Sequence, residues 1–171
     1  MKRRVEIETG MTKRTLIGSA AAAVGALVVG GCTRNGEAAT AETFEVTKSP
    51  EEWRAILTPQ QYAVLREEST ERAGSSPLNA EPRRGTYVCA GCALPVYTSD
   101  AKFESGTGWP SFTSPIKGAV RTKDDRGFFG TRIEVHCRRC GGHLGHVFDD
   151  GPKPTGLRYC MNGVAMKFVA A

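Results

Sequence analysis

The sequence has no apolar run of the length that a membrane-spanning helix requires. The uncharged stretch LIGSAAAAVGALVV has 14 residues, from Leu16 to Val29, whereas a spanning helix needs about 20. The sequence also lacks internal repeats beyond paired cysteines, and it lacks a dense basic stripe. The first 31 residues hold five of the 23 lysines and arginines and two of the 18 acidic residues, which leaves residues 32–171 with a net charge of +2. This balance argues against a nucleic-acid partner.

The start of the chain predicts an export signal over residues 1–31. Lys13 and Arg14 precede the short apolar stretch, an order that is typical of such signals. The segment VGGC resembles the bacterial lipobox, which implies lipidation of Cys32, and TKRTLIG is a weaker match to a twin-arginine signal. We expect an exported protein that is anchored to the bacterial cell membrane or faces the periplasm, with membrane contact only through this N-terminal anchor. A plain anchor and a signal cut elsewhere are the alternatives.

Two short helices are predicted after a flexible tether over residues 32–48. The tether is small and polar, without apolar periodicity. SPEEWRAIL has Ser49 as N-cap, a proline at the first helical position and Glu52 to complete a capping box. TPQQYAVLREEST repeats this arrangement with Thr58 and Gln61.

Short strands and turns are predicted from Thr86 onward. GAVRTKDDRGFFGTRIEVHC indicates a hairpin with DDRG as its turn and with Ile133, Val135 and Cys137 on one face. A loop of Asp, Gly and Pro leads into one final strand, RYCMNGVAMKF. The fold class is therefore mainly β, with short N-terminal helices.

Four of the six cysteines form two C-x2-C pairs, Cys89/Cys92 and Cys137/Cys140, which are separated by 44 residues. Each pair can offer two thiolates to one tetrahedral Zn²⁺, and four sulfur ligands leave no open position for catalysis. The pairs therefore predict one structural zinc ion per chain that joins two distant strand ends. Two disulfides are the alternative, because the exported compartment oxidises free thiols.

Two further motifs carry polar or aromatic residues on loop-like segments. SGTGWPSF holds Trp109, and CGGHLGHVFDDG holds His143 and His146, two of the three histidines. On spacing alone, the pair of histidines favours two ordinary surface side chains over a site. Cys160, in GLRYCMNG, has no nearby cysteine and follows Arg158 by two positions.

Taken together, these motifs resemble methionine-R-sulfoxide reductases, the B-type enzymes. The two C-x2-C pairs, SGTGWPSF, CGGHLGHVFDDG and GLRYCMNG occur in the family's order and span roughly residues 49–169. The resemblance implies a reductase domain over residues 49–171, with two antiparallel sheets and a structural zinc site on the side away from the active site. It also implies repair of oxidised proteins or peptides that carry methionine-R-sulfoxide.

The resemblance assigns the site residues. Cys160 matches the catalytic cysteine, and the other implied members are His143 and His146 in catalysis and Trp109, Arg158 and Asn162 in substrate binding. A thiolate attacks the partly positive sulfur, a histidine delivers a proton to the sulfoxide oxygen, and the cysteine is left as a sulfenic acid. Arg158 or a histidinium would stabilise the thiolate.

One position departs from a common form of the family. Many members have a resolving cysteine where this chain has Thr107. With four cysteines assigned to zinc and Cys32 to lipid, the sulfenic acid is expected to be reduced by an external thiol of thioredoxin type. An unlipidated Cys32 on its tether is the alternative resolving thiol.

Two other classes of protein compete with this interpretation. A non-enzymatic zinc module would account for the paired cysteines but not for Cys160, the two histidines or the GWPSF segment. Another thiol or zinc enzyme on a related β fold is compatible with the two C-x2-C pairs alone.

Overall fold

The computed structural model describes residues 42–127 and 130–171. The predicted export signal, Cys32 and the first part of the tether lie outside these residues. No helix in the two described ranges is both long and apolar enough to span a bilayer.

Two helices, α1 (Pro50–Ile56) and α2 (Pro59–Glu67), begin at the predicted caps. Ser49 Oγ accepts from the backbone N–H of Glu52 at 3.2 Å, and Ser49 N–H donates to the Glu52 carboxylate at 2.7 Å. Thr58 and Gln61 make the same reciprocal pair. Each box satisfies two N–H groups that a helix start otherwise leaves free. The predicted capping boxes are therefore confirmed.

Within the described residues, nine strands form two antiparallel sheets, which confirms the mainly β fold class. The smaller sheet has the order β2-β1-β9, and the larger has the order β3-β4-β8-β7-β6-β5. The strands are β1 (Gly85–Cys89), β2 (Pro95–Thr98), β3 (Lys102–Phe103), β4 (Ser111–Phe112), β5 (Val120–Gly127), β6 (Gly130–Cys137), β7 (His143–Phe148), β8 (Arg158–Met161) and β9 (Met166–Ala170).

The hydrophobic core lies between the two sheets. Tyr97 of the smaller sheet stacks on Phe112 of the larger one, with ring centroids 4.3 Å apart, and Tyr87 meets Phe112 edge-on at 4.9 Å. The hydroxyl of Tyr97 donates to the sulfur of Met161 at 3.1 Å. Burial of these rings removes large apolar areas from water, and it fixes β8, the strand that carries Cys160, against the core.

Two local predictions were wrong. The DDRG segment is the end of β5 and not a turn, because Asp124 pairs with Ile133 and Asp125 with Arg132 across the hairpin. Ile133 is exposed and Val135 and Cys137 are buried, so only part of the strand face predicted for these three residues reaches the core.

The predicted final strand is two strands in different sheets. A 3₁₀ turn, Gly163–Ala165, separates β8 from β9. The chain turns there because Asn162 and the two residues after it bond to Glu71, far away in the sequence, rather than continuing a ladder.

The described end of the predicted tether contacts the second C-x2-C pair. The N–H of Val46 donates to the carbonyl of Arg139 at 3.0 Å, and Glu45 forms ion pairs with Arg138 and Arg139. Glu42 pairs with Arg121 at 2.7 Å. Residues 42–46 therefore pack beside the cysteine cluster.

Candidate active site and metal centre

The four paired cysteines meet at the ends of strands from both sheets. Cys89 ends β1 and Cys137 ends β6, and Cys92 and Cys140 follow in tight turns. Residues of positive φ, Ala93 (58°) and Gly141 (67°), come directly after the second cysteine of each pair. All four sulfur atoms lie within 4.8 Å of one another.

The spacing of the sulfur atoms fits one tetrahedral metal ion. Cys89 Sγ lies 3.7 Å from Cys140 Sγ, and Cys92 Sγ lies 3.5 Å from Cys137 Sγ. Zinc–sulfur bonds of about 2.3 Å in a tetrahedron put neighbouring sulfurs about 3.8 Å apart, whereas a disulfide requires about 2.05 Å. All four are free thiols. The donor set therefore fits zinc and does not fit the alternative of two disulfides.

The four thiols of the cluster compete with one another for protons. Hydrogen bonds among the four thiols lower the pKa of Cys92 and Cys137, and they raise the pKa of Cys89 and Cys140. Two guanidinium groups also bond to backbone carbonyls of the cluster, Arg66 to Cys140 at 2.9 Å and Arg139 to Cys92 at 3.2 Å. A metal ion would bind the four sulfurs as thiolates and so remove the competition among them for protons.

A separate cavity of about 130 Å³ opens onto Cys160. Cys160 is half-buried in β8, where its cross-strand neighbours are Ser111 of β4 and His146 of β7. The side chains that line this cavity with Cys160 include Trp109, Arg132, His146, Phe148 and Asn162. Four of the six residues predicted for the site therefore line one cavity.

Gly145 brings β7 and β8 close together beside this cavity. A Cβ atom at residue 145 would lie 2.2 Å from the carbonyl oxygen of Cys160 and 2.9 Å from Cα of Met161. Only glycine leaves room for this approach. The glycine in HLGH therefore sets how closely His146 and Cys160 are paired.

Glu71 positions two walls of the cavity, and no sequence motif predicted this role. Its carbonyl accepts from the indole N–H of Trp109 at 3.1 Å, and its N–H donates to the Asn162 side chain at 2.9 Å. Its buried carboxylate accepts from the N–H groups of Gly163 at 2.6 Å and Val164 at 3.0 Å. Both the indole ring and the turn after β8 are thus fixed by one residue.

The two predicted histidines occupy different environments. His146 lines the cavity, whereas His143 is 2% exposed and does not reach it. The rings are 5.3 Å apart. His143 Nδ1 lies 2.9 Å from a carboxylate oxygen of Glu134, and His146 Nε2 lies 2.8 Å from Oδ2 of Asp125. Each histidine therefore has its own carboxylate from the β5–β6 hairpin.

The pKa shifts follow from these contacts. Burial lowers the pKa of His146, and the carboxylate of Asp125 opposes that shift in part. Burial raises the pKa of Glu134, but hydrogen bonds from His143 and Lys123 outweigh it, so the net pKa is lowered. The carboxylates of Asp125 and Glu134 are consequently ionised at neutral pH.

Arg158 does not line the cavity. Its guanidinium makes two hydrogen bonds of 2.8 Å to Asp150, and it lies 4.4 Å from the ring centroid of Phe148. The bond to Asp150 raises the pKa of Arg158 and lowers that of Asp150. Arg158 thus contacts Phe148, which lines the cavity, and its assignment to substrate binding stays a prediction.

Hydroxyl groups from SGTGWPSF approach the thiol. Ser105 Oγ lies 2.8 Å from Thr107 Oγ1 and 2.8 Å from Ser111 Oγ, and Thr107 Oγ1 lies 3.9 Å from Cys160 Sγ. The side chain at position 107 is therefore adjacent to the sulfur, although the two residues are 53 apart in sequence.

Comparison of the sequence with known proteins identifies one family. The SelR domain family matches residues 57–170. A peptide methionine sulfoxide reductase MsrB from Methanosarcina barkeri is 56% identical over 124 residues, which cover 72% of this chain and 87% of that protein. One of the same name from Bradyrhizobium diazoefficiens is also 56% identical over 124 residues, covering 72% of this chain and 89% of that protein. Among solved structures, a Mis18 "Yippee-like" domain gives a TM-score of 0.43 at 18% identity, covering 52% of this chain and 98% of that one.

Proposed function

The chain belongs to the SelR domain family, whose MsrB members are peptide methionine sulfoxide reductases, and from this premise we propose that it reduces the R epimer of methionine sulfoxide in proteins with Cys160 as nucleophile. The protein is an oxidoreductase that acts on sulfur in protein repair. The observation that carries the proposal is the position of Cys160, the described thiol that lies outside the four-cysteine cluster and lines the cavity.

The proposed reaction transfers one oxygen atom between two sulfur atoms. The sulfur of Cys160 attacks the sulfoxide sulfur while a proton is delivered to the sulfoxide oxygen. The S–S bond formed by this attack then breaks as the hydroxyl moves to the Cys160 sulfur, so methionine leaves with two electrons gained and Cys160 is left as a sulfenic acid. The S–O bond of the substrate breaks and a new S–O bond forms on Cys160, so the thiol is the reductant of the first half-reaction.

His146 is the proposed proton donor. It lines the same cavity as Cys160 and is its cross-strand neighbour, whereas His143 is buried against Glu134. An imidazole exchanges protons near neutral pH more readily than the other side chains of this cavity do. We assign His143 the supporting role of packing edge-on against the His146 ring.

The walls of the cavity suit a methyl sulfoxide. Trp109 and Phe148 offer apolar faces for the S-methyl group. Trp109 and Asn162 are both tied to Glu71, so their positions are fixed before substrate arrives. A rigid pocket that fixes the methyl group and the oxygen accepts one configuration at sulfur, which is the physical basis of epimer selection.

The four-cysteine cluster is the proposed site of a structural zinc ion. Cys89, Cys92, Cys137 and Cys140 would all bind it, so the ion supplies stability and no catalytic step. Because Cys89 ends a strand of the smaller sheet and Cys137 ends a strand of the larger one, the ion would join the two sheets.

Recycling is proposed to use an external thiol of thioredoxin type. Thr107 Oγ1 is next to the Cys160 sulfur, and a hydroxyl cannot form a disulfide. The sulfenic acid is therefore proposed to be reduced by a thiol from another molecule, and an unlipidated Cys32 stays the alternative. We propose export for this activity on the basis of residues 1–31, where basic residues precede a short apolar stretch.

The test is Cys160→Ser. This variant is expected to lose turnover of a methionine sulfoxide peptide while it keeps full zinc content, measured by metal analysis. Loss of zinc would make Cys160 a metal ligand, and retained turnover would assign the chemistry to another residue. A non-enzymatic zinc module would show no turnover even in the unaltered protein.

A further inference from the structure

Asp125 does not line the cavity, but it contacts His146, which does. Its Oδ2 atom lies 2.8 Å from His146 Nε2 and 2.7 Å from Nη2 of Arg132. Asp125 and Arg132 are paired across the β5–β6 hairpin, and Arg132 and His146 both line the cavity. The hairpin thus brings one carboxylate oxygen between a guanidinium and the imidazole.

The ionisation of Asp125 decides which nitrogen of His146 carries hydrogen. The hydrogen bond with His146, and then that with Arg132, lowers the pKa of Asp125, so the group is a carboxylate at neutral pH. A carboxylate can only accept hydrogen bonds. The Nε2 atom of His146 must therefore carry the hydrogen, and in the neutral ring Nδ1 has a free lone pair.

We propose that Asp125 is a positioning residue of the reductase: by accepting the Nε2–H of His146 it holds one tautomer and one ring orientation, and it leaves Nδ1 to exchange the catalytic proton. This inference rests on the proposed function. In the reaction, Nδ1 takes the proton of the Cys160 thiol and gives it to the sulfoxide oxygen. The Nε2–H bond is kept throughout, and Asp125 is never protonated, as its bond to Arg132 also requires.

The negative charge of Asp125 also opposes the effects that lower the pKa of His146. The titratable or charged groups that face His146 from the strands packed around it are Asp125 of β5, Arg132 and Glu134 of β6, His143 of β7 and Cys160 of β8. Burial, Arg132 and His143 lower the pKa of His146, and Asp125 raises it. Removal of the Asp125 charge would therefore lower that pKa further.

Asp125→Asn tests the role, and Asp124→Asn is the matched control. Asp124 is the neighbouring residue of the same strand, its side chain is 59% exposed, and its carboxylate lies 3.8 Å from Arg126. We expect Asp125→Asn to reduce kcat about 10- to 100-fold with KM changed less than about twofold, since proton transfer and not binding is impaired. The control is expected to match the unaltered protein.

The pH profile separates positioning from a merely structural role. The basic limb of kcat/KM reports loss of the catalytic proton. Asp125 raises the pKa of His146, so this limb should move to lower pH when the Asp125 charge is removed. An active Asp125→Asn protein with an unmoved limb and unchanged kcat would overturn the inference.

A further measurement, on the unaltered protein, depends neither on turnover nor on the folding of a variant. Long-range ¹H–¹⁵N correlation spectra of the zinc-loaded protein, taken above the titration of His146, are expected to show the Nε2–H tautomer. The Nδ1–H tautomer would overturn the role of Asp125. Failure of the unaltered protein to reduce the R-sulfoxide would instead contradict the proposed function.

Discussion

Thr107→Cys should convert the protein into one that closes a disulfide after each turnover. Thr107 Oγ1 lies 3.9 Å from Cys160 Sγ, so a sulfur in its position needs to move by about 2 Å to reach bonding distance. Glycines with positive φ, Gly106 (70°) and Gly108 (89°), flank position 107 and allow the segment to adjust. The thiol of the variant would attack the Cys160 sulfenic acid and release water.

The size of the effect follows from the loop that the bridge would close. The two positions are 53 residues apart, and the chain-entropy relation for a loop of this length gives about 4 kcal/mol. Local adjustment reduces the gain, so we expect the oxidised variant to be about 2–4 kcal/mol more stable than its reduced form. That corresponds to a rise in melting temperature on the order of 10 °C.

The assay is one turnover without reductant, followed by dimedone trapping and intact mass spectrometry, with Cys32→Ser in every protein. The parent protein should add dimedone at Cys160. Thr107→Cys should instead lose two hydrogens and resist peroxide better, because a sulfenic acid left exposed is oxidised further. Thr107→Ser is the control and should behave as the parent. If Thr107→Cys adds dimedone and forms no bridge, positions 107 and 160 are not close enough to react, and the prediction is wrong.

Three further predictions test interactions that stabilise the fold. Cys140→Ser should lose zinc and about 3 kcal/mol or more of stability, measured by metal analysis and thermal melting; full zinc content would contradict the four-thiolate site. Glu71→Gln should cost about 1–3 kcal/mol in urea unfolding, because the buried carboxylate accepts two backbone N–H groups; an unchanged midpoint would contradict this. Burial raises the pKa of Tyr87 to about 12 and the pKa of Tyr97 well above its usual value. The two buried phenols therefore contribute fully to stability below about pH 10, and this contribution is lost at higher pH because tyrosines of the unfolded chain ionise first. Tyrosine absorbance and circular dichroism should change together in that range, and ionisation of both rings near pH 10 in an intact fold would contradict their burial.

Features that depend on neighbours in the sequence could be predicted. The capping boxes at Ser49 and Thr58 involve residues three positions apart, so the helix starts were correct. The spacing within each C-x2-C pair likewise indicated a site that the fold assembles. The mainly β class followed from short strands and turn residues.

Features that depend on distant partners could not be predicted in this way. DDRG has the composition of a turn, but Asp125 is used by His146 and Arg132, which lie on other strands. The strand predicted across Asn162 is interrupted because Glu71, 91 residues earlier, bonds to its side chain. No local pattern in the sequence reports such pairings, since they arise only when the sheet forms.

The contrast between His143 and His146 has the same origin. Both were predicted from one motif, and they are three residues apart. The register of β7 against β8 pairs His146 with Cys160, whereas a register shift between Val135 and His136 of β6 accompanies the burial of His143 beside Glu134. The sequence motif identifies the pair, and the sheet determines which member can reach a substrate.

The most direct test of the central claim is turnover of the separate R and S epimers of a methionine sulfoxide peptide, with dithiothreitol as reductant. We predict that the R epimer is reduced to methionine, that the S epimer is hardly consumed, and that Cys160→Ser consumes neither. Equal rates on the two epimers, or a preference for the S epimer, would contradict it.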